Sequence, residues 1–444
     1  HRQVLVWIVA SKLFFQAEAL ASGIVFPKSA FVKNVKTAFG AKGDGRTDDT
    51  QALQKAVYDN HQHHGIIYLP NGIYRISKPL VFSSSPGKKH MGIGPWLYGQ
   101  DRDSVIIRLV DSAAGFQDTA SPRAVVAATY HTANDGISAD QFMRCLHNVT
   151  VDAGRGNPGA IGIRYYSNNV GTLKNVKIIG SGVTGLDLGW VNMNGPCLID
   201  GVEISGFTVG ISTGWSVNSQ TLSNVTISSC RDLGILHHGQ VLSCEDLTIT
   251  NVPTAVRSYH PGTLTIINSL FEGNDPTKAA IEDRGRMFVR NLTTKGFARA
   301  IQGDSTRLGV TGAYVKEYVS NGVRRAFPEA ASRSLNLPIK QVPVFPSESD
   351  PDKWVLVNDY GAVAGDTIDD APAFQKAIDS AAATGRTTIC INPSSGPDPN
   401  GYILRDTVFV HGSVRHIVGL GFARIFYGGF ALKQGGAPIV KFQN

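Results

Sequence analysis

The chain has 444 residues, 42% of them hydrophobic, so it is longer than a typical single domain and can bury a large core. Its 48 glycines and only 4 methionines are typical of a turn-rich β protein. The net charge of +7 is modest and no run of Lys or Arg stands out, which argues against nucleic acid as a partner. Beyond the first residues, no segment is long and apolar enough to span a membrane.

The chain begins with an apolar stretch, VLVWIVASKLFF, followed by Ala19-Leu20-Ala21. This order resembles the apolar region and cleavage site of a secretory signal. We predict that residues 1–23 are a signal peptide and that the protein is extracellular. A buried first strand is the alternative interpretation.

Residues 31–57, FVKNVKTAFGAKGDGRTDDTQALQKAV, predict a strand, a Gly/Asp-rich loop and a helix with Leu53, Ala56 and Val57 on its apolar face. Asp48 and Asp49 fall where the helix begins. A carboxylate there accepts hydrogen bonds from free backbone N–H groups, so we interpret the pair as structural and not catalytic. We expect the helix to cover the open end of the fold that follows.

From residue 143 to 303 a short phrase recurs, with Asn in the middle and apolar residues at every second place. The alternation predicts one strand per phrase, and a period in the twenties is typical of a solenoid. A leucine-rich repeat would need helix-forming residues where these coils have Gly, Ser and Thr. We therefore predict an all-β, right-handed parallel β-helix. The central slot is held, at intervals of 27, 26, 23, 22, 22 and 23 residues, by Asn148, Asn175, Gly201, Asn224, Asp246, Asn268 and Asn291.

Asparagine at one fixed slot has a physical reason, because stacked side-chain amides can hydrogen-bond to one another inside a turn. Asn148, Asn224 and Asn291 also lie in N-x-T sequons. If these amides point into the turn they cannot accept a glycan, so we predict that they are unmodified.

In each central coil a ring precedes the ladder slot, and amides follow the ring within a few residues. The rings are 25, 25, 23 and 21 residues apart, in step with the repeat, so we expect them to stack along one side. Ring faces and amides suit a neutral glycan. The alternative is that the rings are core and the amides are solvated turns. The predicted substrate-binding residues are Tyr165, Asn168, Asn169, Trp190, Asn192, Asn194, Trp215, Asn218, His238 and Gln240, with Tyr259 and His260 ending the ring column.

Residues 326–353 are rich in proline and predict an extended connector. Residues 354–378, WVLVNDYGAVAGDTIDDAPAFQKAI, then repeat the first opening without a gap, placing Asp369 on Asp48 and Gln375 on Gln54. We predict two tandem β-helix domains with short capping helices, at 24–325 and 354–444. The second is expected to be truncated.

The two openings resemble those of pectate-lyase-superfamily β-helices. Their tandem arrangement is similar to glycoside hydrolase family 55, the exo-acting β-1,3-glucanases. The resemblance implies an inverting hydrolase, with Asn168, Asn169 and Asn194 near the places where that family positions the attacking water. It also implies that the catalytic acid comes from the second β-helix domain. We therefore expect the acid beyond residue 444 and leave the catalytic residues unknown.

The candidate carboxylates by residue type alone are Asp187, Glu203, Glu245 and Glu272. Neither Asn-Thr-Asp nor Gly-His-Gly occurs, which disfavours a polygalacturonase. A polysaccharide lyase and a non-catalytic glycan-binding β-helix remain as alternatives.

The five cysteines have no CxxC spacing and predict neither a metal site nor a redox motif, and a disulfide between coils is left open. We predict no cofactor, a polysaccharide as the partner and a monomeric state.

Overall fold

The computed structural model describes residues 23–83, 92–127, 141–215, 217–304, 308–323, 327–328, 333–339, 348–394, 401–427 and 438–443. The predicted signal peptide lies outside these residues except for Gly23. The described chain divides into two compact units. The large unit holds Val35–Tyr58 and the residues from Leu69 to 339, and the small unit holds the residues up to Asn34, Asp59–Tyr68 and those from 348. The domain boundaries predicted from the sequence stay predictions.

The large unit is a parallel β-helix, because its strands pair in parallel with those of the next coil and follow one another through three sheets. A helix at Val35–Phe39 precedes the strands, and a second helix spans Thr50–His63, of which residues 50–58 belong to the large unit. The strands are Asp44–Asp48, Gly72–Ile76, Leu80–Val81, Gly92–Ile93, Trp96–Gly99, Val105–Leu109, Arg123–Ala127, Gln141–Phe142, Cys145–Asp152, Ala160–Arg164, Asn168–Ile179, Thr184–Asp187, Gly195–Ser205, Val209–Ser212, Ser219–Ser223, Thr226–Ser228, Leu233–His238, Val241–Glu245, Thr248–Val252, Thr254–Gly273, Ala279–Lys295, Arg299–Gln302 and Tyr314–Val319.

The three sheets are defined by register. In the first sheet Leu146 pairs with Leu173, and in the second, Val151 pairs with Ile178. In the third sheet, which is central to the site, Arg164 pairs with Asp187 and Asp187 with Ser212. The interior is filled by aliphatic side chains that are fully buried in coil after coil, including Val149, Val176, Val202, Val225, Leu247 and Leu292.

The turn between the first and second sheets is built around the predicted ladder slot. All seven slot residues have a positive φ, between 52° and 62°. Asn175 donates to Oδ1 of Asn148 at 3.0 Å, and Asn291 donates to Oδ1 of Asn268 at 3.1 Å. Asparagine tolerates this left-handed conformation better than most residues, and Gly201 adopts it freely. The prediction of stacked amides is confirmed, while the absence of glycans stays a prediction.

One end of the large unit is closed by residues 50–58 of the helix Thr50–His63, whose predicted apolar face of Leu53, Ala56 and Val57 is buried. Gln54 both donates to and accepts from the backbone of Val81. Asp49 accepts from the backbone N–H groups of Lys42 and Gly43. Asp48 accepts from the N–H of Thr50, the first residue of the helix. The aspartate pair is therefore structural, but the N–H groups that Asp49 binds lie in the loop before the helix, so its predicted role as a cap of the helix is wrong.

The other end is closed by the strand Tyr314–Val319, which pairs antiparallel with Ala279–Lys295. The hydroxyl of Tyr318 donates to Asp283 at 2.9 Å. An antiparallel strand ends the stack because it cannot continue the parallel winding, and it covers an otherwise unpaired edge.

The small unit repeats the opening. Its helix Ala371–Ala383 buries Phe374, Ala377 and Ile378, and Gln375 exchanges two hydrogen bonds with the backbone of Phe409, as Gln54 does with Val81. The duplication read from the sequence is therefore present in three dimensions. Two 3₁₀ turns lie at Pro351–Lys353 and Val357–Tyr360, and the strands are Val32–Asn34, Ile66–Leu69, Trp354–Leu356, Thr388–Ile391, Tyr402–Leu404, Val408–Val410, His416–Gly419, Ile425–Tyr427 and Val440–Phe442.

All five cysteines are free and buried. Within the described residues, no helix reaches the length and hydrophobicity that a membrane crossing requires.

We predict that Asn175→Ala destabilises the protein by about 2 kcal/mol, since alanine loses the hydrogen bond to Asn148 and is strained at φ 52°. Asn175→Gly is the matched control, because glycine loses the same hydrogen bond without the strain, and it should cost about 1 kcal/mol. Urea unfolding measures both. Equal costs, or a greater cost for glycine, would contradict the role of the left-handed turn.

Candidate functional site

The predicted ring column lies where the third sheet ends, and register divides it into separate positions. The last aligned residues of the third sheet in successive coils are Arg164, Asp187, Ser212 and Leu236. Each ring is placed by its distance along the chain from the aligned residue of its own coil, and Tyr165 comes one residue after Arg164. Trp190 and Trp215 each come three residues later and are equivalent. His238 comes two residues later and is aligned with Tyr259. The rings therefore do not form one continuous stack.

Tyr165 belongs to the core. Its side chain is buried, and its hydroxyl donates to the backbone carbonyl of Arg144 at 2.8 Å. Burial raises the pKa of this phenol well above its ordinary value. Tyr165 therefore supports the neighbouring coil from inside the solenoid.

Trp190 is half-buried and carries a cation on one face. The Arg164 guanidinium carbon lies 3.6 Å from the centre of the Trp190 ring, and Nε of Arg164 pairs with Asp187 at 2.9 Å. This is the geometry of a cation–π contact. One ring face is thus occupied by Arg164, and the arginine is itself held by a carboxylate.

Trp215 is more exposed than Trp190, with 41% of its surface accessible. Its indole N–H donates to the carbonyl of Gly189 at 3.0 Å, which fixes the ring to the preceding coil. Gly239 packs so closely that a Cβ there would lie 2.8 Å from the backbone nitrogen of Trp215. The ring is therefore exposed but held in place.

His238 and Tyr259 form the next pair, with ring centroids 6.2 Å apart. His238 is exposed, and the guanidinium of Arg284 lies 5.5 Å from the Tyr259 ring. Rings thus extend along the same edge of the solenoid beyond Trp215.

The predicted amides separate into buried and surface groups. Asn194 and Asn218 accept from backbone N–H groups of the preceding coil, namely those of Ser167 and Asn194. Asn169 is exposed, and Asn192 is half-buried and accepts from the N–H of Met193. The predicted site residues that are buried in this structure are Tyr165, Asn168, Asn194, Asn218 and Gln240, and those that reach the surface are Asn169, Trp190, Asn192, Trp215 and His238.

Three apolar side chains that the sequence analysis missed are exposed, as Trp215 is, where the chain passes from the third sheet to the first. Val170, Met193 and Val217 are 64%, 43% and 57% exposed. We call these three residues and Trp215 the apolar corner. Their intervals of 23 and 24 residues follow the repeat, so the spacing could have revealed them had apolar residues been sought as well as rings and amides.

The backbone of the apolar corner is unusual. Val170, Met193 and Trp215 have φ values of 66°, 65° and 68°. Left-handed conformations are rare for such bulky residues, especially for a β-branched one, and strain of this kind clusters at functional sites. The conformations therefore point to a constraint other than stability at this corner.

The candidate carboxylates lie on different sheets. Asp187 is on the third sheet and accepts from Arg164, from the N–H of Gly189 and from the hydroxyl of Ser212. Glu203 is on the second sheet and pairs with Arg102 at 2.8 Å. Glu245 ends a strand of the first sheet. Glu272 is on the second sheet, where it is aligned with Lys295 in strand register.

One further carboxylate shares a row with Asp187. Glu282 is separated from it by four strand spacings, which is about 19 Å. The hydrogen bond from Arg257 lowers the pKa of Glu282. Inverting hydrolysis needs carboxyls roughly 6.5 to 9.5 Å apart with one of raised pKa, so this pair is unsuited to it.

The described residues contain no group of three or more His, Cys, Asp and Glu side chains placed to hold a metal ion.

Beneath the exposed rings lies one buried histidine. His237 contacts the hydroxyl of Ser258 at 2.9 Å and the backbone carbonyl of Gln240 at 3.0 Å. Burial, and to a lesser degree the neighbouring His238, lower its pKa to about 4, against the contribution of the Gln240 carbonyl, which raises it.

The folded-state pKa lies below the ordinary value of 6.5. At a pH between about 4 and 6.5, His237 therefore binds a proton in the unfolded chain but not in the folded chain. Stability from neutral His237 is fully present above pH 6.5 and is lost as pH falls towards about 4, by about 2 kcal/mol at pH 5. Urea unfolding of His237→Gln should show a pH 7.5 to pH 5 difference smaller by that amount. An unchanged difference would contradict the assignment.

Three comparisons with known proteins place this geometry in context. The chain matches, over residues 32–276, the family model described as rhamnogalacturonase A/epimerase, pectate lyase-like. It is 26% identical over 169 residues to a glucan 1,3-beta-glucosidase of Cochliobolus carbonum, which is 34% of this chain and 19% of that protein. It is 42% identical over 79 residues to alginate lyase 7 of Azotobacter vinelandii, which is 18% of this chain and 9% of that protein.

The chain thus spans less than a fifth of the length of either relative. Among solved structures, the catalytic unit of the GH87 alpha-1,3-glucanase from Streptomyces thermodiastaticus is similar at 15% identity and a TM-score of 0.40, with 64% of this chain and 57% of that chain covered. The family match covers more than half of the 444 residues, and its span contains the strands that carry the apolar corner. The chain belongs to the rhamnogalacturonase A/epimerase, pectate lyase-like family.

Proposed function

We propose that the protein acts outside the cell on a polysaccharide, and that it hydrolyses β-1,3-glucan with inversion. The observation that carries the proposal is the apolar corner, where Trp215 and its neighbours are exposed and held in strained conformations. Sugar rings offer C–H faces that pack on such side chains, and the surface amides Asn169 and Asn192 lie within the same loops to meet hydroxyl groups.

Similarity to the glucan 1,3-beta-glucosidase supports glucan as the substrate. We assign the general acid to neither Asp187 nor Glu282 of the third sheet, since both are paired with arginines and they are too far apart. In this proposal the large unit binds and orients the glycan.

A second candidate is a lyase acting on an acidic glycan. The similarity to alginate lyase 7 favours it, and so do the guanidinium groups of Arg164 and Arg284, which lie over the rings of Trp190 and Tyr259. Cations of this kind can pair with uronate carboxylates. A glycan-binding protein without catalysis is the third outcome that the experiments below separate.

We expect Trp215→Ala to weaken binding of β-1,3-gluco-oligosaccharides about tenfold, because it removes the exposed ring face from the apolar corner. Leu198→Ala is the matched control, since Leu198 is also 41% exposed but lies on the first sheet, and it should leave affinity unchanged. Isothermal titration calorimetry measures both, with thermal melting to verify folding. Equal affinities for Trp215→Ala and the parent protein would remove the apolar corner from the proposal.

The reaction itself is tested by product analysis. The protein, with any natural continuation of the chain, is offered a soluble β-1,3-glucan and a uronan, and products are examined by mass and by absorbance of unsaturated ends. Glucose or short glucans support hydrolysis, and unsaturated uronides establish the lyase instead. Binding without product leaves a glycan-binding solenoid.

A further inference from the structure

A second amide ladder runs inside the corner between the third and first sheets. Consecutive rungs are defined by backbone hydrogen bonds, since Ser219 donates to Asn194, Val241 to Asn218 and Thr263 to Gln240. Gln240 therefore occupies the rung that follows Asn218.

The two asparagine rungs are satisfied by direct hydrogen bonds. The amide nitrogen of Asn218 donates to the carbonyls of Val191 and Gly214, and its oxygen accepts from the N–H of Asn194. Asn194 makes the same set of contacts one coil earlier, with Tyr165, Leu188 and Ser167. Each amide thus joins its own coil to the one before it.

The ladder changes at Gln240. Its side chain is 0% exposed, yet neither Nε2 nor Oε1 has a hydrogen-bond partner among the residues that the structure describes. Glutamine is one methylene longer than asparagine and cannot place its amide where the asparagines place theirs. The next rung is Gly262, which has no side chain to offer.

A second amide in this corner has the same deficit. Gln220 is 1% exposed, its nitrogen donates to the carbonyl of Asn194, and its Oε1 has no partner in the described part of the chain. Polar groups of His237 and Ser258 line the adjoining interior, and both side chains are buried. The interior is therefore polar here, in contrast to the aliphatic side chains that line the solenoid at Val176, Val202 and Val225.

Buried amides without hydrogen bonds are costly and rare, whereas buried water typically makes about three hydrogen bonds to such groups. The unpaired set contains one donor group and two acceptors. A water molecule can accept a hydrogen bond from Nε2 of Gln240 and donate to the two Oε1 atoms. A ligand that only donates or only accepts cannot do both. We propose that this corner is an internal water site, and that ordered water supplies the hydrogen bonds of Gln240 and of Oε1 of Gln220.

The decisive experiment is a crystal structure of the parent protein at a resolution that orders solvent. The expected result is density within hydrogen-bond distance of Nε2 or Oε1 of Gln240, enclosed by the coil. Absence of density there, or a side chain turned to a direct protein partner, overturns the proposal.

Unfolding in urea provides an independent test through Gln240→Met, which keeps the length of the side chain but removes its polar atoms. With water present, the variant strips the site of its partners, and the unfolding constant should rise about tenfold. Without water, methionine removes the free-energy cost of burying an amide that has no hydrogen bonds. An unfolding constant that stays unchanged or falls would therefore refute the water site. Gln302→Met is the control, because Gln302 is exposed and the substitution should leave the unfolding constant nearly unchanged.

Discussion

The large unit depends on one turn, the left-handed residue at which each coil passes from the first sheet to the second. A positive φ bends the chain there without breaking the register on either side. The asparagine amide then hydrogen-bonds to the amide of a neighbouring coil, as Asn175 does to Asn148. Because the same conformation recurs at seven slots, the strands that follow stay aligned, and the aliphatic interior is continuous. The turn thus couples local backbone preference to packing along the whole solenoid.

The ends of the fold are protected by different devices. At one end the helix is attached through Gln54, which hydrogen-bonds to both backbone groups of Val81 as a strand neighbour would. The small unit does the same with Gln375 and Phe409. At the other end an antiparallel strand pairs with the last long strand. Both devices satisfy edge groups that would otherwise remain unpaired.

The apolar corner is placed on this frame. Its loops connect strands whose positions are fixed by the coils, so a side chain such as Trp215 can be exposed and still held, through its bond to Gly189 and its packing on Gly239. Rigid, preorganised side chains lose less entropy when a ligand binds. Near the same corner, the buried polar side chains of His237, Ser258 and Gln240 replace aliphatic ones.

The sequence alone determined the parallel β-helix, the asparagine slots, the structural role of the aspartates and the duplicated opening. These features depend on local causes, namely the alternation of a strand, the φ preference of Asn and Gly, and the hydrogen bonds of carboxylates to nearby backbone N–H groups. Which rings and amides face outward was decided only by the tertiary structure. Tyr165 and Trp190 are one repeat apart in the sequence but two residues apart in register, because the turns between sheets differ in length. Asn194 and Asn218 face inward because their partners come from the neighbouring coil, and contacts between coils are not visible in the spacing of residues along the chain.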